Sequence, residues 1–585
     1  MKMHRTHTNR SPVSFTAAQY SLALVTGLVT LTNANLSYAQ TGPDAGAIQQ
    51  QLKREWDQGR SVPAPEPVIE KQPAPSQAKS GDQTIDVTSF KVTGITLITQ
   101  EQAQEALKRF ANSKLTFDQI KDAGLAVTRL YNAMGRVAQA TIPPQDVVDG
   151  QIWIKVIEGR VGNVTIELDK QSPSRLKAGL IQQFINANNA TGDLISLNGL
   201  ERSLALLNET PGNQVSGELI PGEQEETSNI QLNAKDTGLF AGRVDLSNYG
   251  ANNTGVGQLS SNLSLNNPSG KGDQATLDVI GSQGSVFGQF KYGMPLDADG
   301  WRLSAGVSAL NYTGLSSFSS TSTEGTAQTY VLNSTYALER SAKSNKTLVV
   351  NFENKNYNNL ASGLQTSNYQ INALSVGLNG NYFSEQAYVN WGATATLGNL
   401  SIGNAVQANS DAQGAGTQGN FGKLTANASV TQALPFDRTN VVASIYGQIA
   451  NKNLNSAEQF YLGGPYGIRA YPVSQGGGAH GAIASVEVTR TYANQLQLAA
   501  FVDAGLVQQF ANTYPNWQGL TQAENTYALF AAGPLVKYNY EKIQFQAALA
   551  FRIGNNPLYN QKGEQLNVSN QYEPVQAWAK ATMFF

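Results

Sequence analysis

The sequence predicts a transmembrane β-barrel of about 16 antiparallel strands, preceded by two small β-α-α-β-β domains and an N-terminal helix. Three observations carry this expectation. A basic and then apolar leader opens the chain, and no later run approaches the ~18 apolar residues that a membrane-crossing helix needs. From about Leu239 to Phe585, apolar and polar residues alternate with period two, the signature of strands with unlike faces. Charged residues make up only 14% of the chain and glycines number 55, which suits a strand-rich chain better than a charged soluble enzyme.

The leader explains the address. Lys2, Arg5 and Arg10 precede an apolar stretch from about Leu22 to Leu31, followed by Ser37-Tyr38-Ala39, so residues 1–39 read as a removed secretory signal. With 40 basic and 42 acidic residues, no electrostatic footprint for nucleic acid is visible. The chain has no cysteine, which excludes thiol nucleophiles, disulfides, cysteine metal sites and a lipoprotein anchor. Neither a metal nor a cofactor is expected.

Residues 43–58, PDAGAIQQQLKREWDQ, form a helix candidate with Ile48, Leu52 and Trp56 on one stripe. The rest of it is polar, so it suits a wet channel better than a core. From Gly59 to Asp82 five prolines mark an extended linker with a reach of about 70 Å. The stretch 85–235 then shows one pattern twice. The first copy has a strand at IDVTSFKVTG, two amphipathic helices, and two closing strands, VAQATIP and QIWIKVIEG. Its second helix is expected to bury Ile120, Leu125, Leu130 and Met134. The second copy runs from VGNVTIEL to TSNIQLNAKD. Neither copy carries a catalytic cluster. Both look like interaction modules whose open sheet edge can accept a strand from another chain.

In the barrel region, Ile543, Phe545, Ala547, Leu549, Phe551 and Ile553 share one face of a strand, with Gln544, Gln546 and Arg552 on the other. In 496–506 the apolar face is Leu496, Leu498, Ala500, Val502, Ala504 and Leu506, which leaves Phe501 and Asp503 facing the lumen. The last segment, VQAWAKATMFF, reads as a closing strand that ends on Phe585. Counting back from a periplasmic C-terminus makes 554–574, 508–526 and 451–481 extracellular loops and 539–541 and 493–494 periplasmic turns. The last of those loops holds Arg469 among glycines and aromatics. A charge-assisted pair with Asp503 would draw its tip into the barrel. A phosphate-loop reading fails, because no Lys-Ser/Thr follows and no helix pattern begins there.

These features resemble the outer-membrane transporters of two-partner secretion, the TpsB branch of the Omp85 superfamily. Gly467, Ile468, Arg469, Ala470 and Tyr471 are similar to the family's VRGY/F-like tip of the sixth extracellular loop, with Ala470 where glycine is usual. Phe501, Asp503 and Gly505 fit its FxDxG barrel-wall motif. The PDAG helix start, the two POTRA-like repeats and IPPQDVVDGQIWIKVIEGRV are also similar, so the resemblance covers nearly all of the mature chain. It implies a signal peptide at 1–39, a plug helix at 43–58, a linker at 59–82, POTRA domains at 83–160 and 161–236, and a barrel at 238–585. It further implies a non-enzymatic pore in the outer membrane of a Gram-negative bacterium. A cognate TpsA exoprotein would present its secretion domain to the periplasmic POTRA domains. Lipid bilayer and lipopolysaccharide would surround the barrel, and the barrel-assembly machinery would read Phe585 during biogenesis. Three rivals differ in what they need: an assembly factor usually has more POTRA units and no N-terminal helix, a diffusion porin needs no periplasmic modules, and a hydrolase needs a base where His480 is the one mature histidine, in the Gly-rich loop.

Overall fold

The computed structural model describes residues 44–58, 84–224, 226–317, 321–518, 522–555, 557–559 and 573–585. The expected secretory leader and proline-rich linker lie outside the described residues. Helix α1 (Ala45–Gln58) comes first, capped by Asp44, whose Oδ1 accepts from the Ala47 amide at 3.0 Å.

The first small domain runs β1 (Thr84–Val87), β2 (Ser89–Thr93), α2 (Gln100–Leu107), β3 (Ser113–Thr116), α3 (Phe117–Ala133), β4 (Ala138–Thr141), β5 (Gln151–Glu158). Its sheet has the order β2-β5-β4, with β2 and β5 parallel. The single strand expected at its start is split: β1 turns away and pairs with β3, a strand absent from the sequence reading. Four residues are too short a run for alternation to declare itself. Both helices start in capping boxes, Thr99 with Gln102 and Thr116 with Gln119. The buried face of α3 differs from the expected one. Ile120, Ala123, Val127 and Tyr131 are buried, while Leu125 and Met134 are exposed. A step of five residues rotates off a 3.6-residue helix face, whereas steps of three and four keep to it.

Tyr131 donates to Glu158 Oε1 at 2.7 Å, and the same oxygen accepts from the amides of Thr96 at 2.7 Å and Leu97 at 3.0 Å. Burial pushes this carboxyl up, but the bonds from Thr96, Tyr131 and Leu97 outweigh it and hold it below its ordinary value.

The second domain runs β6 (Arg160–Leu168), α4 (Ala178–Asn186), α5 (Leu197–Asn208), β7 (Asn213–Pro221), β8 (Thr227–Asp236), with sheet order β6-β8-β7. It docks on the short-turn end of the barrel. Arg175 donates to Asn266 O at 3.0 Å, Arg202 to Asp299 O at 2.6 Å and Ala337 O at 2.5 Å, and Arg340 pairs with Glu209.

Sixteen antiparallel strands, β9 (Phe240–Ser247) to β24 (Val575–Phe584), close into one barrel. Connections at the docked end are short, such as 541–542 and 492–495, and those at the far end include 403–418, 451–479 and 509–525. Closure leaves no open sheet edge in the bilayer. The closing seam is the thinnest joint: β24 and β9 share five register pairs, against eight between β9 and β10 (Gln258–Asn266). Other contacts extend it. Gly242 and Phe585 exchange two backbone bonds of 3.1 Å, and a Cβ on Gly242 would come within 2.5 Å of the Phe585 ring. At the other end, the Asn248 side chain stands in for a strand, donating to Ala577 O at 2.9 Å and accepting from the Ala579 amide at 2.8 Å. Between them, Asp245 of β9 accepts from Thr582 Oγ1 at 2.6 Å and pairs with Lys580 at 3.2 Å.

Two outcomes follow from this architecture. Gly242→Val forces the Phe585 ring off the seam at a cost of about 1–3 kcal/mol. After refolding in detergent micelles, its heat-induced mobility shift on electrophoresis should occur several degrees lower than in the wild type. In the first domain, the lowered Glu158 carboxyl gives stability that is complete above its unfolded pKa of about 4.3 and is lost as pH falls through the lower folded value. Hydrogen exchange of the α3 amides should therefore accelerate below about pH 4 in the wild type. In Glu158→Gln it should be faster at neutral pH and show less of that acid dependence.

Candidate functional site

The connection 451–479 between β19 (Thr439–Ala450) and β20 (His480–Thr491) is the sixth at the long-loop end. It folds back into the lumen. Phe460 and Gly478 exchange backbone bonds of 2.8 and 2.9 Å, so the loop descends as a narrow ribbon. Its tip is compact because glycines pass where side chains cannot: a Cβ on Gly467 would lie 2.0 Å from Leu462 O. Ala470 is not among the residues at positive φ, so the tip has no conformational need for glycine at that position. Ile468, Ala470 and Tyr471 are all buried.

Arg469 meets the wall formed by β20 and β21 (Leu496–Gln508). Its backbone amide and Nε donate to Asp503 Oδ2 at 3.1 and 2.9 Å, and Nη2 donates to Oδ1 at 2.8 Å. Nη1 reaches Glu487 Oε2 at 2.9 Å, and Nη2 also reaches Ser485 Oγ at 3.1 Å. Ser485, which faces Asp503 in register, donates to its Oδ1 at 2.7 Å. Asp503 is 0% exposed and Arg469 8%. Such a pair holds together only because its hydrogen bonds are nearly all made.

Each position of the wall motif has a distinct job. The Phe501 ring lies under the guanidinium, 3.4 Å from carbon to ring centroid. Asp503 takes the charge. A Cβ on Gly505 would fall 2.9 Å from both Ile468 Cδ1 and Leu462 Cδ2, so this glycine makes the space for the tip. Two further residues, which sequence reasoning missed, hold the tip from the other side. Trp578 of β24 donates from Nε1 to Arg469 O at 2.7 Å, and Arg552 donates to Ala470 O at 3.2 Å while lying over the Tyr471 ring. Period-two parity places Arg552 on the face opposite the apolar one, and the same parity sets Trp578 opposite Val575, Ala577, Ala579 and Ala581; only their partner is hidden from the sequence.

The lumen also holds α1. Ile48 and Leu52 are buried against Tyr312, Tyr357, Tyr369 and Phe421 of the wall and Leu454 and Ala457 of the loop. The side chain of Trp56 lies outside the described residues. Gly46 permits this approach, since a Cβ there would fall 2.6 Å from the Tyr369 hydroxyl and 2.9 Å from Ala457 Cβ. Gln49 donates to Thr329 Oγ1 at 2.9 Å, Lys53 pairs with Glu353 at 2.7 Å, and Arg54 Nη1 donates to Tyr461 O at 2.7 Å. A chain of charges continues from there: Glu353 to Lys355 at 2.8 Å, Lys355 to Glu458 at 2.9 Å, and Glu458 to Lys423 at 2.7 Å. His480 is not a free loop residue. It opens β20, and its Nδ1 accepts from the Ala450 amide at 3.2 Å.

A family model described as haemolysin secretion/activation protein ShlB/FhaC/HecB matches residues 226–523, and a ShlB-type POTRA domain matches residues 85–159. The chain belongs to that family. Its members are outer-membrane transporters of two-partner secretion, with POTRA domains in the periplasm and TpsA-type exoproteins as cargo. Among curated relatives, the heme/hemopexin transporter protein HuxB of Haemophilus influenzae is 23% identical over 511 residues, covering 84% of this chain and 88% of that protein. The outer membrane transporter CdiB of an Escherichia coli strain is 26% identical over 448 residues, 73% of each chain. In structure, the barrel and small domains superpose on CdiB from Escherichia coli with a TM-score of 0.71 at 21% identity, covering 94% of this chain and all of that one. CdiB from Acinetobacter baumannii gives 0.64 at 14% identity, covering 92% and 98%.

Two variants separate charge from space at this site. Gly505→Val keeps both charges but crowds Ile468. It should raise protease cleavage within 451–479 in intact cells several-fold over wild type. Arg469→Lys keeps the charge but loses the planar fork, and should give an intermediate cleavage rate.

Proposed function

We propose that this protein carries one large, unfolded exoprotein of the TpsA type across the outer membrane, through a lumen closed at rest by α1 and the inward loop. The observation that carries the reading is the position of α1, a mostly polar helix lying inside the barrel against both wall and loop. A helix with so narrow an apolar stripe has little to gain in a permanent core, and its polar contacts can be exchanged for water. It plugs the lumen at rest and leaves during transport. The linker at 59–82 keeps it tethered, with a reach of about 70 Å.

The POTRA units, bounded at 83–160 and 161–236, take up the secretion domain of the cargo, and the barrel from 238 provides the passage. Folding of the cargo outside supplies direction, so no catalytic chemistry is required of this chain. Lipid bilayer and lipopolysaccharide enclose the barrel, and the assembly machinery reads Phe585 during biogenesis. The loop tip at Gly467–Tyr471, with its wall motif Phe501, Asp503 and Gly505, is the conformationally important element of the pore. Hemolysin, adhesin, heme-scavenging and contact-dependent toxin cargoes are all compatible with this account.

Deleting the gene and comparing secreted and outer-membrane proteins tests the reading. One very large exoprotein should vanish from the surface or medium while other barrels keep their abundance. Loss of many barrels would instead mark an assembly factor, and no loss at all a diffusion pore. Removing residues 44–58 should raise single-channel conductance in planar bilayers. Unchanged conductance would contradict the plug.

A further inference from the structure

The barrel is taller on one side. Strands β14 (Thr323–Arg340), β15 (Ser344–Ala361), β16 (Leu364–Phe383), β17 (Ala387–Ile402) and β18 (Gly419–Ala433) are all long, with 15 to 20 residues, whereas opposite them β20, β21 and β23 (Ile543–Ile553) have 11 to 13 and only β22 (Thr526–Tyr540) reaches 15. On the outer face of the tall side the chemistry changes at one level. Leu332, Phe352, Leu374 and Leu397 stand side by side in register across four strands, 46–71% exposed. Below them, Val350, Val376, Ala395 and Leu424 continue the lipid-facing band.

The next row outward is Tyr330, Asn354, Asn372, Asn399 and Asn420, neighbours in register on five adjacent strands. Beyond it come Gln328, Asn356, Gln370 and Ser401, and then Thr326, Asn358 and Asn368. The amides are wired to one another: Asn354 donates to Asn372 at 2.6 Å, Asn356 to Asn354 at 2.9 Å, Gln370 to Asn356 at 2.9 Å and Asn399 to Asn420 at 2.7 Å. Each amide carries two N–H donors and two acceptor lone pairs, so these bonds leave capacity facing outward. The three rows rise about 14 Å along the strands.

None of these twelve positions is charged. A solvated surface with about a quarter of its residues charged would carry three. The short side has no such belt among the described residues: Leu506 on β21 and Ile553 on β23 keep apolar side chains facing outward to within two residues of the strand end.

We propose that this amide belt docks the neutral sugars of the outer-leaflet glycolipid. Continuity supplies the occupant. The belt begins where the lipid-facing band ends, so the group that meets it belongs to the lipid whose acyl chains cover Phe352 and Leu374. Chemistry narrows the choice. A phosphate or carboxylate would call for lysine or arginine, which the belt lacks, whereas hydroxyls match donors and acceptors set side by side. The fixed amide network orients those groups without the entropy loss that long flexible side chains would incur. The inference rests on the outer-membrane placement of the barrel and is independent of how the cargo moves.

The test uses full-length protein in detergent, with three lipid probes: lipopolysaccharide with intact core sugars, lipopolysaccharide truncated to its innermost sugars, and phosphatidylethanolamine. Native mass spectrometry reads the lipid retained, and the heat-induced electrophoretic shift reads folding. Wild type should retain the sugar-bearing form at least 5-fold better than either other probe. The triple variant Asn356→Ala/Gln370→Ala/Asn372→Ala should lose that preference while staying folded. If the triple variant does not fold, Asn356→Leu alone serves, with an expected loss of 2-fold or more. Equal retention of all three lipids by wild type, or undiminished preference in a folded variant, overturns the proposal. So does a variant that loses exoprotein secretion but keeps glycolipid, which would make the belt a cargo surface.

Discussion

The pairing of Arg469 with Asp503 joins two elements whose chain positions would keep them apart. The loop 451–479 starts and ends at the barrel rim, while Asp503 lies five residues down β21, about 17 Å below its end. A carboxylate there is 0% exposed and faces a lumen. Left alone it would pay the desolvation cost of a buried charge, several kcal/mol, and the guanidinium removes that cost only by coming to it. The glycines are the steric condition for the same contact, Gly467 within the ribbon and Gly505 on the wall.

What α1 touches follows from where the loop lies. Arg54 donates to the backbone carbonyl of Tyr461, Gln50 to that of Ala457, and Ile48 and Leu52 pack partly on Leu454 and Ala457. The loop therefore builds one side of the helix's seat, and the tall wall builds the other through Gln49 with Thr329 and Lys53 with Glu353. Lys355, Glu458 and Lys423 tie loop to wall at the same depth. Removing the helix leaves this loop-to-wall chain intact, whereas displacing the loop removes half of the helix's partners. The two elements are thus hierarchical, with the loop first.

Much of this was legible in the sequence, for reasons that differ by region. Strand parity alone set Asp503 inward and Leu498, Val502 and Leu506 outward, because a barrel wall has two unlike solvents and a period of two. Alternation with short turns at one end also set the loop order. The first small domain was less transparent. Leu125 and Met134 are apolar yet exposed, and Tyr131, with its hydroxyl on Glu158, is buried instead. Hydrophobicity named the residues, but only the helical angle named the face. Trp578 and Arg552 escaped notice as tip partners because their contacts cross between segments more than 80 residues apart, which no local pattern encodes. The asparagine rows do not show as rows along the chain for the same reason: β15 and β16 contribute three amides each and β14, β17 and β18 one each, and only the register sets them side by side.

A double-mutant cycle on Arg469→Ala and Asp503→Ala is the most direct test of the dependence described here. Protease accessibility of 451–479 in intact cells, measured as a cleavage rate and converted to a free energy of loop opening, supplies the readout. The account predicts that each single change opens the loop, that the double change opens it little further, and that the coupling is about 2–3 kcal/mol or more. Additive effects, or a loop equally protected in all four proteins, would contradict it.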